Sequence, residues 1–222
     1  MRHDDPYGDG AVIVGGPPAV RTLTAVTITK IAVGPMDNNA YLLRCRATGQ
    51  RLLIDAAHDA PTLIRLAGHR SLSTIVTTHR HDDHWQALRE VVDATGARTH
   101  AGRHDACAIP VPTAVLIDEG DKIHWGRVAL TAYHIAGHTP GSIVLLYDDP
   151  QGHPHLFTGD CLFPGGPGRT TNPVDFTSLL DGLEEKVFGP LPDETWIYPG
   201  HGNDTTLGAE RPQLAEWRSR GW

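Results

Sequence analysis

Thr78-His79-Arg80-His81-Asp82-Asp83-His84 sets three histidines and Asp83, all groups able to ligate a metal, within residues 79–84. The run before it, Ser73-Thr74-Ile75-Val76-Thr77-Thr78, has the β-branched enrichment of a short strand. The run after it, Trp85-Gln86-Ala87-Leu88-Arg89-Glu90-Val91-Val92, has helical spacing. The histidines are therefore expected on a loop between a strand end and a helix start, where side chains converge without competing for places in a packed core. Three imidazoles on one face repel each other when protonated, and a cation that holds them neutral removes that repulsion. The stretch reads as a metal motif.

Outward from it, the chain alternates apolar strands with turns and helices. Residues 23–33 and 40–45 read as strands joined by Gly34-Pro35-Met36-Asp37-Asn38-Asn39, and Arg51-Leu52-Leu53-Ile54-Asp55 follows the turn Thr48-Gly49-Gln50. Asp55 closes its strand and His58 lies three residues on. A helix is expected from Asp59, its N-cap, to Gly68, its stop, with Pro61 in the first turn. Beyond the helix at 85–95, strands are expected at 97–100, 113–117, 122–125, 128–135, 143–147, 155–158 and 195–198, with helices at about 176–188 and 209–222. Strand runs at both ends of the chain, each with helices attached, predict an α/β fold of two facing sheets with helices outside.

Residues 1–21 are rich in Gly, Pro and Asp without periodicity and read as a loosely ordered leader; residues 22–222 read as one domain, with no linker composition to divide them. The net charge of -7 leaves no basic surface for nucleic acid. The apolar run at 11–14 is far shorter than the roughly 20 residues that span a bilayer, so no membrane association is expected. Cys45, Cys107 and Cys161 are odd in number, widely spaced and without a C-x-x-C pair, which fits neither a disulfide framework nor a cysteine zinc site and points to a reducing cytoplasm.

The event at 79–84 recurs. Apolar strands also end in tight turns at Gly137-His138, Gly159-Asp160 and Gly200-His201. Together they supply five imidazoles and two carboxylates, a nitrogen and oxygen set without thiolate that suits zinc, and also iron or manganese. Seven ligands exceed one tetrahedral shell. Two divalent ions with one shared carboxylate use all seven: three histidines on the first ion, two histidines and an aspartate on the second, and the other aspartate between them. Such a pair, about 3.5 to 4 Å apart, presents a bridging hydroxide to a carbonyl or phosphoryl group, which is hydrolytic chemistry on a small-molecule substrate.

H-x-H-x-D-H at 79–84, followed by Gly137-His138, Gly159-Asp160 and Gly200-His201 in that order, resembles the metallo-β-lactamase superfamily. The resemblance implies an αβ/βα four-layer sandwich with the metals at one edge of the two sheets. It implies His79, His81 and His138 on one ion, Asp83, His84 and His201 on the other, Asp160 bridging, and Asp55 supporting the ligands from behind. Asp83 and Asp160 are then the carboxylates of the catalytic centre. Through His138-Thr139-Pro140-Gly141-Ser142, Thr158-Gly159-Asp160 and Gly165-Gly166-Pro167-Gly168-Arg169, the chain is most similar to glyoxalase II-like thioester hydrolases. Where the glutathione-using enzymes carry Lys and Tyr after the bridging aspartate, this chain has Arg169-Thr170-Thr171, so the resemblance does not extend to glutathione recognition. Arg169 and His58 are expected to meet substrate. Persulfide dioxygenases, which use a single iron, and lactone or ester hydrolases are similar through the same motifs.

Overall fold

The computed structural model describes residues 7–68 and 70–221. A seven-stranded sheet runs in spatial order β1 (Ala19–Thr22), β2 (Val26–Val33), β3 (Asn38–Cys45), β4 (Arg51–Ile54), β5 (Leu72–Thr77), β6 (Arg98–Gly102) and β7 (Val115–Ile117). Its first four strands form an antiparallel meander, and from β4 onward the pairing is parallel. The change follows from the connections: α1 (Ala60–Ala67) lies between β4 and β5, and α2 (Leu88–Thr95) between β5 and β6, the crossovers that parallel pairs need.

The second sheet has six strands, in order β15 (Thr205–Thr206), β14 (Trp196–Pro199), β11 (His155–Gly159), β10 (Ile143–Tyr147), β9 (Val128–His134) and β8 (Lys122–Trp125). Only β11 and β14 pair in parallel, and α3 (Pro173–Leu183) connects them. A small hairpin, β12 (Leu162–Phe163) with β13 (Gly166–Pro167), precedes α3, and α4 (Leu207–Glu210) and α5 (Leu214–Arg220) follow β15.

Both faces of most strands are covered, so the strands read as nearly continuous apolar runs, and the period of two decides which layer each side chain joins. Ile28, Tyr41, Leu43, Leu52 and Ile54 meet Leu145, Phe157 and Tyr198 between the sheets. The intervening Ile31, Leu42, Leu53 and Ile75 pack outward on Leu63 of α1 and Leu88 and Val91 of α2. On the far side, Val144, Leu146, Leu156 and Ile197 pack on Leu179 and Leu183 of α3 and Trp217 of α5. The layers are helix, sheet, sheet, helix, the sandwich anticipated above. Caps start two of the helices: Asp59 accepts from the Thr62 amide at α1, and Asn172 from the Val174 and Asp175 amides at α3, each worth about 1 kcal/mol.

The expected leader differs from the structure where it is described; residues 1–6 lie outside the described residues. Tyr7 is buried between the sheets and β1 pairs along β2 from Ala19 opposite Lys30. Arg21 is the reason: its guanidinium is sandwiched between the rings of Tyr7 (4.1 Å) and Trp196 (3.8 Å). A composition argument has no access to such a stack, because its members are 14 and 175 positions from Arg21. The helix after the histidine cluster begins at Leu88, three residues later than its spacing predicts, because Asp82–His84 form a separate 3₁₀ turn that aims the ligands. Among the described residues no helix is long and apolar enough to cross a membrane.

Candidate metal centre

At one edge of the sandwich the ends of β4, β5, β9, β11 and β14 deliver Asp55, His79, His138, Asp160 and His201. Backbone hydrogen bonds between the sheets fix that edge: the Ile143 amide donates to the Thr78 carbonyl (3.0 Å) and the Asn39 amide to the Gly200 carbonyl (2.7 Å). Three ligand groups result, the polar atoms of each within 4.8 Å of one another: His79/His81/His138, His79/His84/Asp160 and Asp83/His84/His201. His79 Nε2 lies 3.1 Å from His81 Nδ1 and 3.3 Å from His138 Nε2. On the other side, His201 Nε2 lies 3.3 Å from both His84 Nε2 and Asp83 Oδ2. Asp160 stands between, Oδ1 3.3 Å from His84 Nε2 and Oδ2 3.6 Å from both His138 Nε2 and His201 Nε2.

The remaining ring nitrogens decide which atoms face this cluster. His84 Nδ1 donates to Asp55 Oδ2 (2.8 Å), His138 Nδ1 to the Arg169 carbonyl (2.7 Å) and His201 Nδ1 to the Met36 carbonyl (2.9 Å). Those partners can only accept, so Nδ1 carries the proton and Nε2 presents its lone pair inward. Thr78 extends the same logic. Its hydroxyl donates to Asp55 Oδ2 (2.8 Å), which leaves its oxygen to accept from His79 Nδ1 (3.1 Å). Asp55 thus orients His84 directly and His79 through one hydroxyl, while its Oδ1 accepts the Thr78 amide (2.8 Å). It does so from a left-handed backbone, φ 58°, an uncommon conformation for a residue other than glycine.

The two sides differ electrically. Burial, reinforced by the neighbouring imidazoles, holds His79 well below the ordinary histidine range, and burial also lowers His138. Burial acts the same way on His84 and His201, but Asp55 and Asp160 outweigh it at His84, and Asp83 and Asp160 at His201, so both are raised. For Asp83 and Asp160 burial works upward, and the facing histidines overcome it and hold both carboxyls below the usual range. A raised histidine is protonated further up the pH scale, and a metal must displace that proton. Metal affinity at the Asp83/His84/His201 group is therefore expected to fall between about pH 8 and about pH 6 more steeply than at the trihistidine group, as chelator competition at the two pH values would measure.

The donor set fits divalent cations. Among the described residues no group makes a well-formed hydrogen bond to the buried Asp160 Oδ1, which faces His84 Nε2 at 3.3 Å and is an acceptor that a cation would satisfy. Gly200 leaves the space in front of it, since a Cβ there would collide with Asp160 Oδ1 and crowd the His84 ring.

A profile of the metallo-β-lactamase superfamily matches residues 33–201, which span every group in this cluster. The chain belongs to the metallo-β-lactamase superfamily. Hydroxyacylglutathione hydrolase of Fuscovulum blasticum is 38% identical over 168 residues, covering 74% of this chain and 62% of that protein. The chain therefore spans less than two thirds of that relative's length. Among solved structures, BLEG-1 B3 metallo-β-lactamase is 30% identical with a TM-score of 0.71, covering 83% of this chain and 96% of that one. TTHA1623 in a di-iron-bound form is 28% identical with a TM-score of 0.67, covering 82% and 96%.

Within this metallo-β-lactamase fold, all seven residues predicted as ligands fall in the three groups, and Asp55 stands directly behind them. The two predicted substrate residues do not join the cluster. Arg169 is exposed and enters it only through its carbonyl on His138, while His58 is exposed and packs against the turn at Gly34. Cys161, beside Asp160, is buried, and burial pushes its thiol up. Sequence reasoning missed Asn38, which donates to Asp83 Oδ2 (2.8 Å) from what reads as an ordinary turn. It also missed Asp105, wholly buried, which accepts the Arg80 amide (3.0 Å) and the Gly141 amide (2.9 Å) and so pins the loops on both sides of the trihistidine group.

Proposed function

We propose that the chain is a dinuclear metal-dependent hydrolase of thioesters. The observation that carries the reading is the position of Asp160, one carboxylate facing a trihistidine group on one side and Asp83, His84 and His201 on the other. His79, His81 and His138 would hold the first ion, Asp83, His84 and His201 the second, and Asp160 would touch both. Zinc is the ion we assign first, since a nitrogen and oxygen set without thiolate accommodates it, and iron or manganese suits the same donors. Bound there, two such ions supply a water-derived nucleophile at neutral pH and Lewis acidity toward a carbonyl.

The protein's own contribution is orientation. Asp55 and Thr78 hold His79 and His84, Asn38 holds Asp83, and the Arg169 and Met36 carbonyls hold His138 and His201. The similarity to hydroxyacylglutathione hydrolase supports a thioester, and so does the chemistry: a leaving thiolate, with a thiol pKa of about 8.5, departs without a general acid. We assign the Arg169 side chain, exposed on the loop whose backbone carbonyl accepts from His138, to an anionic part of a small-molecule substrate. Cys45, Cys107 and Cys161 are free, in keeping with a reducing cytoplasm.

Hydrolysis of a panel of thioesters, lactones and phosphodiesters, with the metal content of the protein measured beforehand, tests this. Thioesters are expected to turn over fastest with two ions per chain. Faster lactone cleavage would transfer the reading to esters, and one iron per chain with oxygen uptake on a persulfide would replace hydrolysis by oxidation.

A further inference from the structure

Behind the His201 loop a buried polar network runs to the start of the described chain. Lys30, on β2 and fully buried, donates from Nζ to the Gly202 carbonyl (2.7 Å) and to Asp204 Oδ1 (2.6 Å). Asp204 Oδ2 in turn accepts from the Tyr7 hydroxyl (2.8 Å) and the Trp196 indole (2.9 Å). The Asp204 amide donates to the Asp9 carbonyl (3.1 Å), and Gly10 lies so close that a Cβ there would run into the Asp204 carboxylate. From the same side Asn39 Nδ2 donates to the carbonyls of Pro199 (3.0 Å) and Gly202 (2.9 Å).

His201 needs such support. Its imidazole is partly exposed, and Met36, whose carbonyl holds its Nδ1, lies on an exposed turn. The backbone on either side of the histidine is therefore set from behind, by Asn39 at Pro199 and by Lys30 at Gly202. A lysine has four rotatable stem bonds, and Asp204 is what confines this one.

We propose that Tyr7 and the segment at residues 7–10 position the second metal site: the Tyr7 hydroxyl fixes Asp204, Asp204 orients Lys30, and Lys30 holds Gly202 beside His201. The inference rests on the dinuclear reading above. It gives the N-terminal segment a part in the centre that neither the superfamily match, which begins at residue 33, nor the composition of the segment assigns.

Tyr7→Phe tests it, because the ring that packs edge-on to Trp196 at 6.2 Å is kept and only the hydroxyl is lost. Metal-free protein is titrated with cobalt(II) against a competing chelator, with the site lost in His201→Ala defining the second site. Tyr7→Phe is expected to weaken the second site by a few-fold and by no more than about 10-fold, the lower end of what loss of a group bonded directly to a ligand costs, and to leave the first unchanged. Trp196→Phe, which removes the other donor to the same oxygen, is expected to act alike. Unchanged affinities, or an equal loss at both sites, would overturn the inference while two ions per wild-type chain keep the dinuclear reading standing. A wild-type chain that takes up a single ion overturns both.

Discussion

Asp160→Asn is expected to leave about one ion per chain and to lower turnover about 10³-fold or more. The substitution keeps size and shape and removes the negative charge that two ions would share. It also puts an NH2 group where an oxygen now faces histidine nitrogens, Oδ1 toward His84 and Oδ2 toward His138 and His201. Whichever way the amide is turned, one side of the centre meets a donor instead of an acceptor. The trihistidine group keeps all its own donors and retains its ion. Loss of the second Lewis acid removes several kcal/mol of stabilisation of developing charge, and each 1.36 kcal/mol is a factor of about ten. Elemental analysis beside kcat on a thioester measures both effects. Full two-ion occupancy in the variant would contradict the bridging position of Asp160, whereas His81→Ala is expected to lose ion and activity from the first side.

Much of this centre was legible because its chemistry is concentrated where apolar strands stop. His79, His138, Asp160 and His201 each follow a strand that is recognisable by β-branched or aromatic content, and a strand end at a sandwich edge is where side chains from separate segments meet. Asp55 was legible for the same reason, though not its left-handed backbone. The supporting contacts were not, since each joins residues that only sheet register brings together. Asn38 reads as a turn residue, and what makes it a partner of Asp83 is the bridge between its backbone and that of His201. Asp105 sits in a short segment after β6 with no periodicity to mark it. Lys30 alternates correctly as an inward-facing position of β2, and a lysine there looks like an error in the apolar pattern until Asp204, 174 residues later, supplies the countercharge.

That pair makes the largest stability prediction. Asp204→Ala strands the Lys30 ammonium in a site without exposed surface and also leaves the Tyr7 hydroxyl and the Trp196 indole without their shared acceptor. Removing one partner of a buried ion pair costs about 3–5 kcal/mol, which in a chain of this size lowers Tm by about 6–20 °C. The double variant Lys30→Met with Asp204→Leu is expected to recover the part of that loss that comes from the stranded ammonium, because replacing a whole buried pair by apolar side chains of similar volume is often neutral or stabilising, while the Tyr7 hydroxyl and the Trp196 indole stay without that acceptor. Recovery of the fold need not restore the site. Methionine donates nothing to the Gly202 carbonyl, which among the described residues keeps the Asn39 side-chain amide, so the double variant is expected to melt above Asp204→Ala while its second ion stays weakly bound. Calorimetry on the two variants separates these terms: a single variant within about 1 kcal/mol of wild type would show that the pair carries no buried charge, and a double variant with both Tm and second-site affinity restored would show that Lys30 packs without holding the loop.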